Sequence, residues 1–273
     1  MPGINHHLRG RVGSGPKTSL LADLVKFGLL LALLYGLARQ GLEGLSYNWQ
    51  WYRIPAFFWT FEEGRLIAGP FVSGLLVTLR ITALSLVLAS GAALVTALFR
   101  LSGSPLARLA ARGYLELIRN TPLLIQIFFI YFVLAPILDM GSFAAAVLAL
   151  ALFEGAYASE ILRAGIVSIE RGQWEASASL GLGEYATYRH IILPQAIPRV
   201  LPPLTGQAIS LIKDSALVST IAIYDLTMQG QAVVSETYLT FEVWFTIAAV
   251  YLSITVSLSL AVKAMEKRAR VEA

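Results

Sequence analysis

The side chains best placed to do chemistry in this chain are ionisable groups set inside long apolar runs. Glu154 stands in the run 142–163, and Lys213 and Asp214 stand in the run 201–223. A charge at bilayer depth costs about 2.5–3.5 kcal/mol on insertion scales, so such groups mark a solute path or meet a buried polar partner. At a rise of ~1.5 Å per residue, Glu154 falls about 18 Å from the start of its run, near the midplane. Both readings are open for it, contact with a solute and pairing with another buried polar group. Glu160 and Arg163, spaced i, i+3 near the far end of that run, read as a structural ion pair. Lys213 and Asp214 point about 100° apart on a helix. Either one faces a pathway and the other a neighbouring helix, or the helix breaks near them.

Catalytic alternatives find little support. The chain has no cysteine, which excludes disulfides, thiol catalysis and Cys-type zinc sites. His6 and His7 lie in a polar tail and His190 stands alone, so no convergent nucleophile, base or metal cluster is visible. No Gly-x-x-x-x-Gly-Lys-Ser/Thr occurs, so nothing predicts ATP binding by this chain.

The elements that position these groups are membrane spans. Charged residues make up 14% of the 273 residues and hydrophobic ones 56%, whereas soluble domains carry about a quarter charged. A spanning helix needs about 20 apolar residues. Six runs qualify, at 20–38, 71–99, 121–138, 142–163, 201–223 and 241–262. Arg80 and Arg100 bracket the apolar part of the second and are expected to snorkel to opposite interfaces. Fifteen of the 21 lysines and arginines fall in alternate connections: Arg9, Arg11 and Lys17; Arg100, Arg108, Arg112 and Arg119; Arg163, Arg171, Arg189 and Arg199; and Lys263, Lys267, Arg268 and Arg270. The stretch 224–240 on the opposite side has none. The positive-inside rule then predicts six crossings with both termini in the cytoplasm, and the modest net charge of +4 reflects membrane orientation rather than nucleic-acid binding. The first run resembles a signal peptide in its basic flank and its Gly36-Leu37-Ala38. Its length, with Asp23 and Lys26 inside, favours an uncleaved anchor. Residues 45–61 are crowded with Tyr47, Trp49, Trp51, Tyr52, Phe57, Phe58 and Trp59. They predict a short helix on the outer membrane surface, or else a docking surface for an external protein.

The stretch after the fourth run is long and patterned. Residues 175–182 are strong helix formers, Gly181 and Gly183 can end that helix in a left-handed turn, and Pro194 and Pro198 punctuate the approach to the next span. It reads Glu175-Ala176-Ser177, three residues, Gly181, nine residues, then Ile191-Ile192-Leu193-Pro194. This resembles the Glu-Ala-Ala…Gly…Ile-x-Leu-Pro motif of permease subunits of bacterial ABC importers, with serine for the third alanine. Further stretches resemble the polar amino acid (histidine/glutamine-type) permeases. They are Arg119-Asn120-Thr121-Pro122-Leu123-Leu124-Ile125-Gln126, Ala156 to Ile166 around Glu160, Arg171-Gly172-Gln173-Trp174-Glu175-Ala176, and Lys213-Asp214-Ser215-Ala216-Leu217. The resemblance covers about 70–262.

The resemblance implies an all-α transmembrane chain with the type I ABC importer permease fold and a cytoplasmic coupling helix. The implied partners are a cytoplasmic ABC ATPase dimer, a periplasmic amino-acid-binding protein and a second permease subunit, identical or related, in a bacterial inner membrane. No cofactor is implied for this chain, since ATP and magnesium belong to the ATPase. Coupling falls to Glu175, Ala176, Ser177, Gly181, Leu193 and Pro194. The substrate pathway falls to Thr121, Gln126, Glu154, Gln207, Ser210, Lys213 and Asp214. In the family an Asn is common where Gln207 stands, and some members carry an acid where this chain has Ala208, so Glu154 is left to supply a negative charge. Three segments follow: 1–69 with tail, anchor helix and periplasmic aromatic stretch, 70–264 as permease core, and 265–273 as basic cytoplasmic tail. The rival reading, an ion-coupled secondary transporter, predicts internal repeats, and spans 71–163 and 201–262 differ in number and spacing.

Overall fold

A computed structural model describes residues 20–44, 47–62 and 64–271. The basic N-terminal tail 1–19, with its two histidines, lies outside the described residues. So do the side chains of the basic tail 265–273. Two compact units are present, one through Trp49 and one from Gln50 onward.

The first unit holds α1 (Leu20–Gly44), longer than the expected span. Leucines are exposed on every face of it, as at Leu24, Leu29, Leu31 and Leu34. An exposed Asp23–Lys26 pair at 3.9 Å keeps the two charges of this run together.

The second unit begins with a 3₁₀ turn and α2 (Ile54–Phe58), then strands β1 (Trp59–Glu62) and β2 (Arg65–Ala68). Pro70 opens α3 (Pro70–Leu101), and Ser104 caps α4 (Pro105–Arg119) by accepting from Ala107 N at 3.3 Å. α5 (Leu123–Phe129) continues through a π-turn into α6 (Ala135–Ile137), and α7 is Ser142–Val167. The short α8 (Arg171–Ser179) and α9 (Glu184–Thr187) follow. A second π-turn leads into α10 (Leu193–Asp214), which runs on as a 3₁₀ segment to Ile221. The chain closes with α11 (Leu226–Thr237) and α12 (Thr240–Val271).

α3, α7 and α12 are each long and apolar enough to cross a membrane. α4 and Leu123–Ile137 meet that length only when joined, and they meet at a 105° bend at residues 120–122, the geometry of a broken span or a re-entrant loop. Two expected loops are therefore helices. The Arg-rich connection after the second span is α4, whose Ala111, Leu115 and Ile118 are buried while Arg112 and Arg119 are exposed. The stretch 224–240 contains α11, capped by Asp225, which accepts from Met228 N at 2.8 Å.

α3 and α7 run side by side in the same direction, because Ser85 at the middle of α3 donates to Val147 O early in α7 and Arg100 at the end of α3 meets Glu160 further along α7. Ile81, Ile127, Leu150, Leu211 and Val218 form the central core that joins them to α5 and α10. Phe71, Leu226, Val243 and Ile247 form a second cluster near the start of α3. Gly165 lets α10 approach α7, since a Cβ there would meet Val200 and the Ala196 carbonyl.

Candidate functional site

The polar cluster at mid-depth is built by α7 and α10. Glu154 lies twelve residues into α7 and is only 2% exposed. Its Oε2 accepts from Gln207 Nε2 at 2.5 Å. Asp214 also lies against it. Oε1 of Glu154 accepts no hydrogen bond from any described donor. Gln207, Ser210 and Asp214 stand at i, i+3 and i+7, one face of α10. Lys213 is exposed while Asp214 is partly buried, as expected for neighbours about 100° apart. The α-helix ends at Asp214 and continues without interruption as 3₁₀ from Ser215, so the pair lies on different faces of a continuous helix rather than at a break. The cluster thus offers two acids and one amide, which suits a cationic or ammonium group.

Thr121 and Gln126 do different work. Gln126 Nε2 donates to Ile118 O at 2.7 Å, Thr121 O at 3.0 Å and Thr121 Oγ1 at 2.8 Å. Thr121 Oγ1 donates to Leu117 O at 2.9 Å. These bonds tie the carbonyls freed by the bend between α4 and α5. Among the described residues no hydrogen bond joins them to the Glu154 cluster.

The second site is the segment 169–196. The expected helix 175–182 starts earlier and ends earlier, as α8. Its end is a Schellman turn: Gly181, at φ +72, donates to Ala178 O at 2.9 Å, and Leu182 N donates to Ser177 O at 3.1 Å. Gly183 has an ordinary negative φ and instead precedes α9. Glu175 and Ala176 are exposed, with Glu175 paired to Arg171 at 2.9 Å on the surface. Ser177 is buried. It donates to Trp174 O at 2.8 Å and receives Thr187 Oγ1 at 3.2 Å, so the serine that departs from the alanine pattern links α8 to α9. Trp174 meets Tyr188 edge to face at 5.3 Å over Ile169, Ile192 and Ala196. Burial, and then the Glu184 carboxylate, raise the pKa of the Tyr188 phenol. Leu193 and Pro194 are exposed at the start of α10. The segment is a stapled unit that leads directly into α7 on one side and α10 on the other.

Several working residues escaped the sequence reading. Arg100 does not simply snorkel. It binds Glu160 at 2.8 Å, and Arg163 binds the other oxygen of Glu160 at 3.2 Å. Arg119 sits over the Tyr157 ring at 5.8 Å. Tyr114 donates to Leu152 O at 2.5 Å and so pins α4 to α7 next to the Glu154 turn. Only the i, i+3 pair carried a local signal.

Comparison with known proteins adds an independent line. A family model described as "binding-protein-dependent transport system inner membrane component" matches residues 85–271. The glutamine transport system permease protein GlnP of Escherichia coli (strain K12) is 37% identical over 203 residues, covering 73% of this chain and 93% of that protein. A probable glutamine ABC transporter permease, GlnM of Bacillus subtilis (strain 168), is 41% identical over 157 residues, 57% of this chain and 73% of that one. The crystal structure of an amino acid ABC transporter with histidines aligns at a TM-score of 0.69 and 40% identity, over 73% of this chain and 94% of that chain. An inward-facing MetNI methionine ABC transporter shares the fold at a TM-score of 0.61 and 19% identity, over 73% and 95%.

Proposed function

Because the chain belongs to the family of binding-protein-dependent transport system inner membrane components, we propose that it carries polar amino acids across the membrane. The chain is the membrane-spanning permease of an ABC importer, with the type I fold, and works with a separate ATPase and a substrate-binding protein. ATP hydrolysis belongs to the ATPase subunit. The identity of the cargo is our reading. It is supported by relatives that bear glutamine and amino-acid names and by the acid–amide cluster of Glu154, Gln207 and Asp214. An amino acid in a dry site needs partners for its ammonium and its carboxylate. The acids meet the first, while the Gln207 amide and Ser210 hydroxyl can meet the second.

The observation that carries the mechanism is the position of the stapled segment 169–196. In our account two ATPases grip Glu175 and Ala176, and their closure displaces α8 as a rigid piece. α7 and α10 move with it, because three residues join α7 to α8 and the Ser177–Thr187 and Trp174–Tyr188 contacts tie α8 to the turn that leads into α10. Those two helices carry Glu154 and Gln207, so the same motion opens or closes the cluster to either side. We infer a second permease subunit, an inner-membrane location and cytoplasmic termini. In that topology α8 faces the ATPase and the Lys- and Arg-free stretch 224–240 faces outward.

ATP-dependent uptake of labelled amino acids into proteoliposomes, with the ATPase and binding protein added, tests the reading. Glu154→Gln keeps the size and removes the charge. It should weaken uptake or change its preference among amino acids with the complex intact. Uptake driven by an ion gradient without ATP would favour the secondary-transporter reading. Unchanged kinetics in Glu154→Gln would remove Glu154 from the pathway.

A further inference from the structure

Between α2 and α3 the chain forms an antiparallel hairpin in the register Trp59↔Ala68, Thr60↔Ile67 and Phe61↔Leu66. Directly paired residues share a face and successive residues alternate. Trp59, Phe61, Leu66 and Ala68 therefore lie on one face, and Thr60, Arg65 and Ile67 on the other. Both faces are exposed, with Trp59 50%, Phe61 76% and Leu66 56% exposed on the first and Ile67 45% on the second, but only the first is wholly apolar. A lone two-stranded hairpin is marginal in water, so this face needs a cover.

The position of the hairpin says what the cover is. Gly69 N donates to Phe58 O at 2.7 Å, which closes its base, and Pro70 then starts the spanning helix α3. α3 has 32 residues, about 48 Å at ~1.5 Å per residue, slightly more than a bilayer with its headgroups, so its start lies at headgroup level and the Arg80 side chain reaches back toward that level. Strands of four residues extend about 13 Å and keep the hairpin near it. That is the level at which tryptophan concentrates. The surface beside it continues the lipid-facing belt: Leu76 and Leu79 of α3 are exposed, and Trp51 packs on exposed Phe245 of α12. A soluble partner that docks and leaves uses surfaces no more apolar than average. A permanent apolar strip fits lipid better.

We propose that residues 59–68 are a monotopic lipid anchor. The Trp59–Phe61–Leu66 face seats at the boundary between phospholipid headgroups and acyl chains and fixes the depth of the start of α3. The proposal rests on α3 spanning the membrane and on neither the cargo nor the compartment that the hairpin faces.

The chain lacks cysteine, so single cysteines report cleanly. Phe61→Cys and Arg65→Cys are labelled with NBD, with the full chain and its ATPase in phosphatidylcholine nanodiscs that carry doxyl lipid. Seating at the headgroup–acyl boundary predicts roughly twofold or greater quenching at position 61 without binding protein, and little at position 65. Leu66→Cys, on the same face, repeats the test should Phe61→Cys fail to assemble. Lack of quenching at 61 and 66 in lipid alone overturns the proposal, whether they stay in water or become protected only when the binding protein is added. Equal quenching at 61 and 65 overturns the face assignment.

Discussion

Gly181 is the sharpest point at which to test the coupling segment. It holds φ +72, and the turn it makes satisfies the carbonyls of Ser177 and Ala178. A Cβ added there meets nothing within 4 Å, so substitution acts through the backbone and not through a clash inside the subunit. The left-handed conformation costs an L-residue roughly 1–2 kcal/mol, with asparagine the mildest side chain and a β-branched one the worst. That is a factor of about 5–30 in the population of the formed turn. Gly181→Val should therefore lower ATP hydrolysis stimulated by the binding protein, in nanodiscs, by about five- to thirtyfold. Membrane insertion and the basal rate should be unchanged. Gly181→Asn should retain most of the activity. Full activity in Gly181→Val would refute the argument. Equal damage from asparagine and valine would show that bulk against the ATPase matters and the backbone does not.

Other expectations follow from the same geometry. The Ser177–Thr187 bond is worth about 0.5–1.5 kcal/mol, so Ser177→Ala and Thr187→Val should each loosen the segment and show coupling in a double-mutant cycle on stimulated ATPase activity. Strict additivity would dismiss the bond. Glu160→Gln removes the carboxylate that Arg100 and Arg163 share; charged hydrogen bonds contribute roughly 1.5–3 kcal/mol each, so the melting temperature of the purified complex should fall, and an unchanged value would mean that the triad is idle. Cysteines at Ser235 and Ser179, both exposed, should label from outside and only after permeabilisation, respectively. The reverse pattern would invert the topology.

What the sequence disclosed depended on how local each signal was. The left-handed turn at Gly181 and the helix before it were readable because glycine and helix formers act within a few residues. Where α8 begins was misjudged by four residues, as its first turn, Arg171-Gly172-Gln173-Trp174, has no side-chain cap to announce it. α4 reads as a loop when its arginines are weighed as connection charges. The Ser104-Pro105 start and the spacing of Ala111, Leu115 and Ile118 do carry an amphipathic helix signal. The 59–68 hairpin has strands of only four residues inside an aromatic stretch, too short for alternation to stand out. Buried Glu154 was visible as a charge in an apolar run, but its bond to Gln207 spans 53 residues and exists only through the packing of α7 on α10. The same is true of Arg100 and Glu160, sixty residues apart.

The central claim is that nucleotide-driven movement of residues 171–182 switches access to the cluster between α7 and α10. Ser210 lies on the cluster face of α10 and is partly buried, and the cysteine-free chain makes Ser210→Cys the sole thiol. In the complete importer, reconstituted in membrane, a polar thiol reagent should reach that cysteine from one side without nucleotide and from the other with ATP trapped. Glu175→Lys should freeze it in the nucleotide-free pattern. Labelling from the same side in both states, or a normal switch in Glu175→Lys, would contradict the account.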